Sequence, residues 1–192
     1  MFGSRLWTRP EHAAARAEID RFLAPAGPVF LEVGFDHGMV LLDAARADPT
    51  ARWLGCELRQ ARVAALRAHA PPNCLPVRAD VRALLAGVIA PGRLAGVLVL
   101  FPTPATRPGH LWLTDDAVAA LAIALAPGGW VHVATDVAPL AGWVAERFAR
   151  WPTAPPPPRG PTLSRRERVC RRDGLPVFAA TWARPDSDPA SR

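Results

Sequence analysis

Three carboxylates stand at the ends of short apolar runs. Glu32 lies in Val29-Phe30-Leu31-Glu32-Val33, Glu57 follows Trp53-Leu54-Gly55-Cys56, and Asp80 follows Leu75-Pro76-Val77-Arg78-Ala79. The first run leads into Gly34-Phe35-Asp36-His37-Gly38. Glycine tolerates positive φ and lets a ligand approach the backbone closely. A carboxylate beside such a turn suits a ligand with amine or hydroxyl donors. An acid about 20 residues beyond the turn accepts hydrogen bonds from ribose hydroxyls in a doubly wound sheet, which is the place of Glu57. Asp80 is placed either to meet an exocyclic adenine amine or to cap the helix that follows it. The Gly34-x-x-x-Gly38 turn alone is shared by several nucleotide-binding folds; the ordered acids after it narrow the reading.

These residues need strands that end at one sheet edge. Apolar runs at 29–33, 52–57, 74–78, 95–101 and 130–135 read as strands. Helices are expected at 11–24, 38–47, 59–69, 80–88, 114–125 and 137–150; the fifth of these carries Val118, Leu121, Ala122 and Leu125 on one stripe. Alternating β-α units imply a parallel sheet with helices on both faces and a ligand crevice at the carboxyl ends of the strands. Pro155–Pro158 is an extended spacer. The polar, Arg-rich segment 161–173 follows, then a last strand at 176–182 in an antiparallel edge or near-edge position. The expected organisation is an N-terminal helical segment 1–27, a main domain 28–184 and a frayed tail 185–192.

The chain has 192 residues and a formal net charge of +6. All 23 basic residues are arginine. An arginine surplus favours polyanionic partners, because arginine grips phosphate bidentately and each neutralised phosphate releases counterions. Arg165, Arg166, Arg168, Arg171 and Arg172 form the densest basic patch, read as a phosphate-contacting surface rather than only a solvated face. No window is long and apolar enough for a membrane span. Residues Met1–Arg21 carry charges throughout and no apolar stretch of the secretory kind. Cys56, Cys74 and Cys170 lack CxxC spacing, and the five histidines lack ligand spacing. No disulfide framework, no metal and a cytoplasmic location are therefore expected.

On these residues the chain resembles class I S-adenosylmethionine (SAM)-dependent methyltransferases. More narrowly, it resembles the bacterial tRNA (guanine-N7)-methyltransferase family, over about residues 28–183. Glu32-Val-Gly-Phe-Asp-His-Gly38, Glu57 and Asp80 resemble the family's E-x-G-F-G-x-G opening and its two later acids. Leu100-Phe-Pro-Thr-Pro104 resembles F-P-D-P-W-x-K, Ala134-Thr-Asp136 matches A-T-D, and Ser164-x-x-Glu167 resembles T-x-x-E. Arg172-Asp-Gly-Leu-Pro-Val-Phe178 continues like the family's R-L-G-H-P-I-Y. Three positions depart from the pattern. Thr103 stands where the family has the acid regarded as catalytic, Ala105 where it has tryptophan, and Asp36 where it has the middle glycine of the turn.

The resemblance implies a Rossmann-like fold with a mostly parallel seven-stranded sheet. It implies SAM held by Glu32, Gly34, Gly38, Glu57, Asp80 and Thr103. It places Thr103 and Asp136 in catalytic positions, and Arg107, Asp136, Ser164 and Glu167 against a tRNA substrate, in a monomer or homodimer. Bland uses stand beside these. Asp136 is equally placed to cap helix 137–150, and Ser164 and Glu167 have capping-box spacing. Two other functions are weighed: a SAM- or RNA-binding paralogue with weakened catalysis, and a small-molecule methyltransferase on the same fold. A nicotinamide dehydrogenase fits least, since the turn is not G-x-G-x-x-G.

Overall fold

The computed structural model describes residues 10–103, 111–157 and 162–186. Six strands form one sheet in the order β3-β2-β1-β4-β5-β6. They are β1 (Val29–Val33), β2 (Arg52–Glu57), β3 (Cys74–Arg78), β4 (Leu94–Leu100), β5 (Leu125–Thr135) and β6 (Phe178–Ala183). The first five run parallel, and β6 pairs antiparallel with β5. The helices are α1 (Pro10–Leu23), α2 (Met39–Ala47), α3 (Gln60–Arg67), α4 (Val81–Gly87), α5 (Asp115–Ala124), α6 (Ala138–Arg147) and α7 (Arg165–Asp173).

Strand periodicity divides the core in two. Leu31, Val97, Val99, Val131 and Val133 face one side, against Ile19 and Leu23 of α1, Leu84 of α4, Leu121 of α5 and Val144 of α6. Leu98, Leu100 and Trp53 face the other, against Val40 and Leu41 of α2 and Val63 and Leu66 of α3. Alternate side chains of one strand thus supply both cores, as a sheet covered on both faces requires. The C-terminus of α1 and the turn after it are fastened mainly by Arg93, with Arg52 donating to the Pro25 and Ala26 carbonyls beside it. Arg93 donates to the carbonyls of Leu23 (2.7 and 2.9 Å), Pro25 (2.8 Å) and Gly27 (3.0 Å).

The sheet has six strands among the described residues, one fewer than expected. The chain does return along the outer edge of β6. The Ala154 amide donates to the Thr181 carbonyl (2.9 Å) and the Ala183 amide to the Pro152 carbonyl (2.8 Å), framing one antiparallel bridge between Thr153 and Trp182. Pro152 and Pro155–Pro157 have no N–H to donate, so pairing stops there.

The segment 161–173, read as polar and Arg-rich with a capping-box spacing at Ser164 and Glu167 but not as a helix, contains α7. Ser164 caps it by accepting from the Glu167 amide at 3.2 Å, and Gly174 closes it in the left-handed region at φ 65°. It has no apolar stripe, and its buried residues are Glu167 and Cys170. Strand β5 also starts earlier than expected, at Leu125. It tolerates Pro127-Gly128-Gly129 through a register shift against β4 between Leu94 and Gly96.

Candidate active site

The loops at the carboxyl ends of β1 to β4 enclose a cleft of about 450 Å³, within the usual range for small-molecule sites. Its floor is the turn after β1. Gly34, Asp36 and Gly38 all have positive φ, of 70°, 51° and 68°. The Gly34 amide donates to the Cys56 carbonyl at 2.8 Å, tying the turn to β2. A Cβ at Gly38 would run into the Leu66 side chain, so glycine is needed where α2 starts against α3. A Cβ at Gly34 would meet nothing within 4 Å, which leaves that stretch of backbone open to a ligand. Asp36 adopts left-handed geometry that asparagine and aspartate tolerate best among non-glycine residues, and its carboxylate pairs with Arg62 of α3.

The three sequence-read acids do converge here. Glu32 is 3% exposed and lines the cleft. Glu57 accepts from the Leu58 and Arg59 amides at 2.8 and 3.0 Å through Oε1, and its Oε2 lies 3.8 Å from Arg62 Nη1. Asp80 caps α4 by accepting from the Arg82 amide at 2.9 Å, and its two oxygens also receive the Arg82 guanidinium. Burial raises the Asp80 pKa, but the hydrogen bonds from the Arg82 side chain and amide outweigh it and hold the carboxyl below its ordinary value.

Thr103 is exposed and lines the same cleft, just beyond Phe101-Pro102. Phe101 has φ 51°, an uncommon conformation for a bulky residue. Its amide donates to the Ala134 carbonyl at 2.7 Å, anchoring the strand-end motif to β5. Such strain concentrates at functional sites.

Helix α7 forms the roof. Ser164, Arg165 and Arg166 line the cleft, and Arg165 Nη1 donates to His37 Nε2 at 3.3 Å. Arg168 Nη2 reaches the Met39 sulfur at 3.1 Å, and the Thr162 hydroxyl bonds Asp43. Asp136, at the end of β5, accepts from Arg166 Nε at 3.0 Å. That hydrogen bond, with the Arg166 charge, holds the Asp136 carboxyl below its ordinary value. Asp136 does not cap α6, whose N-cap position is Val137 with no side-chain cap; the Thr135 hydroxyl accepts from the Val137 amide at 3.2 Å. Glu167 is 3% exposed and receives Arg171 at 3.3 Å.

The structure thus gathers Glu32, Gly34, Gly38, Glu57, Asp80, Thr103 and Ser164 around one cleft. Asp136 and Glu167 stand behind Arg166 and in the roof helix, off the cleft wall. Arg107 lies outside the described residues. Arg62 and Arg82 went unremarked in the sequence. Arg62 was detectable only as the residue five positions after Glu57 in the following helix. Trp112 also lines the cleft and carried no motif.

A nucleotide-type turn between parallel strands, acids on three successive strand ends and an antiparallel last strand define a Rossmann-like methyltransferase. Solved structures agree on the fold. The 16S rRNA methyltransferase KamB superposes with a TM-score of 0.62 at 20% identity, over 87% of this chain and 92% of that one. The 16S rRNA (adenine(1408)-N(1))-methyltransferase of Catenulisporales acidiphilia gives 0.60 at 19% identity, over 89% and 94%.

A family model described as "Putative methyltransferase" matches residues 26–155. The tRNA (guanine-N(7)-)-methyltransferase of Anaeromyxobacter dehalogenans is 34% identical over 179 residues, covering 90% of this chain and 80% of the relative. That of Acidovorax sp. is 31% identical over 149 residues, covering 74% and 59%. That of Thiobacillus denitrificans is 32% identical over 126 residues, covering 62% and 56%. The chain belongs to the tRNA (guanine-N7)-methyltransferase family. It spans a little over half the length of the last two relatives.

Proposed function

We propose that this chain transfers a methyl group from SAM to guanine N7 in the variable loop of tRNA. The observation that carries this reading is the union, in one cleft, of an open glycine turn, strand-end acids and an arginine-rich roof. SAM supplies a methyl group already activated by its positive sulfur. The residues present suit it. The backbone at Gly34 is open, Glu32 suits an amine, and Glu57 suits the ribose hydroxyls. Asp80 is committed to Arg82 and α4, so its part is to shape the cleft wall beside the base.

Guanine N7 carries an in-plane lone pair and no proton, so no general base precedes attack. The N7–CH₃ bond forms as the S–CH₃ bond breaks, and the purine gains the positive charge that the sulfur loses. The protein must align the reacting atoms and place negative potential beside the purine. Thr103 supplies a hydroxyl for the base edge but no charge. Asp136 is the nearby carboxylate suited to that field; Ser164 and Arg107 are assigned to substrate contact, and Glu167, buried in α7 and held by Arg171, to the same substrate-facing helix. Residues 28–184 serve as the catalytic domain of a cytoplasmic monomer or homodimer.

The test is single-turnover transfer from labelled SAM to an unmodified tRNA transcript, with the product base mapped by mass spectrometry. Wild type is expected to form N7-methylguanosine. Thr103→Asp is expected to be faster by ~10²-fold, the scale of one well-placed electrostatic group. Product from Thr103→Asp alone would identify a catalytically lapsed paralogue. Silence from both would overturn the guanine-N7 reading.

A further inference from the structure

Arg166 lines the cleft, and Asp136 is paired with it from behind the cleft wall. Arg166 Nε donates to Asp136 Oδ2 at 3.0 Å, and Nη2 makes a second, closer contact to the same oxygen. The two ends of the pair differ in exposure. The Asp136 side chain is 16% exposed and that of Arg166 is 47% exposed. A sheltered carboxylate is therefore held by a cation that solvent and polyanions can reach. Besides the Thr162–Asp43 hydrogen bond just before α7, two neighbouring ties of the roof are light. Arg165 touches His37 and Arg168 touches Met39, each through one contact by an exposed arginine. Glu167, the acid of α7's first turn, is held separately by Arg171.

We propose that Arg166 exchanges partners when RNA binds: its guanidinium leaves Asp136 for a backbone phosphate, and the freed Asp136 carboxylate turns to the entering base. This rests on the RNA-methyltransferase reading above. Three features carry it. Arginine pairs bidentately with phosphate as well as with carboxylate, so an RNA strand along α7 competes directly for Arg166. Thr103 brings no charge to the base, so a carboxylate held by a guanidinium cannot also serve a purine that becomes cationic. Finally, solvent reaches the Arg166 end of the pair and screens it, whereas a carboxylate facing developing charge in a closed site is strong. The exchange gives the sheltered carboxylate the better partner.

The test compares wild type, Asp136→Asn, Arg166→Gln, Arg166→Lys and the Asp136→Asn/Arg166→Gln double variant. Anisotropy titrations with an unmodified tRNA transcript and with polyuridylate are run across a potassium chloride series, with thermal melts confirming folding. Asp136→Asn is expected to tighten both RNAs about two- to fivefold, since Arg166 no longer leaves a charged partner. Arg166→Gln is expected to weaken them and to lower the salt slope by about 0.7 to 0.9, the loss of one phosphate contact. Arg166→Lys restores the slope, and the double variant behaves as Arg166→Gln alone. Unchanged or weaker binding by Asp136→Asn, or a gain that survives in the double variant, overturns the exchange. If the binding pattern holds while wild type makes no N7-methylguanosine, the exchange stands and the guanine reading falls. If product forms without that pattern, the reading stands and the exchange falls.

Discussion

Arg62 is paired with Asp36 across the mouth of the cleft, joining the turn after β1 to helix α3, and the same Nη1 lies 3.8 Å from Glu57. One side chain thus fixes both a left-handed turn residue and the acid assigned to ribose. Arg62→Ala is expected to raise the KM for SAM about fivefold, a shift of ~1 kcal/mol, with kcat unchanged. Adding Asp36→Gly, which removes the carboxylate that has lost its arginine partner, is expected to recover part of the loss. Steady-state kinetics with varied SAM checks this; a fall in kcat at constant KM would refute it.

The two glycines of the turn do different work, and alanine separates them. At Gly38 both the positive φ and the Leu66 side chain oppose a Cβ. At Gly34 only the φ does, because the space is open. Gly38→Ala is expected to cost about 3 kcal/mol of stability and Gly34→Ala about 1 kcal/mol. Gly34→Ala is expected to weaken SAM binding more than its stability loss explains. Urea denaturation and calorimetric SAM titration of both variants test the order.

Asp80 makes stability depend on acid pH in a defined direction. Its folded-state pKa is below the ordinary value, because the Arg82 hydrogen bonds outweigh burial. An unfolded aspartate titrates near 3.9, so this contribution is complete above about pH 4 and is lost as pH falls through the lower folded value. The Tm gap between wild type and Asp80→Asn is expected to be widest near neutrality and to narrow progressively as pH falls below the ordinary aspartate value of about 4. A gap that stays constant across circular-dichroism melts from about pH 7 to pH 2.5 would remove Asp80 from this role.

Arg93 holds α1 to the body of the domain through carbonyls alone. Arg93→Ala is expected to cost about 2 kcal/mol, the scale of a few charge-assisted hydrogen bonds in partial solvent. Amide exchange is expected to accelerate in α1 far more than in β1 or β4. Uniform acceleration would mean that α1 unfolds only with the whole domain.

The sheet and its crevice were legible because parallel strands buried on both faces announce themselves as short apolar runs. Each of β1 to β4 lies within a residue of its sequence reading, and the acids at their ends reach one cleft. Helix α7 was not legible by periodicity, since it buries only Glu167 and Cys170. Its signals were the Ser164 cap and Gly174. The seventh strand was expected from the resemblance, and the prolines that prevent it were visible in the same sequence. Pairings such as Asp80 with Arg82 and Asp136 with Arg166 stayed hidden. Spacing brings a carboxylate to a strand end but does not decide which of 23 arginines reaches it.

The proline-bound margin of β6 bears on self-association. Open sheets are liable to recruit strands from other copies of themselves, because a free margin offers alternating donors and acceptors. Here the stretch beside Thr181 to Ala183 is taken up by Pro152, Thr153 and Ala154, and the prolines that follow present carbonyls without amides. An incoming strand would find half of its partners missing. That stretch of the margin is thereby kept from templating a fibre.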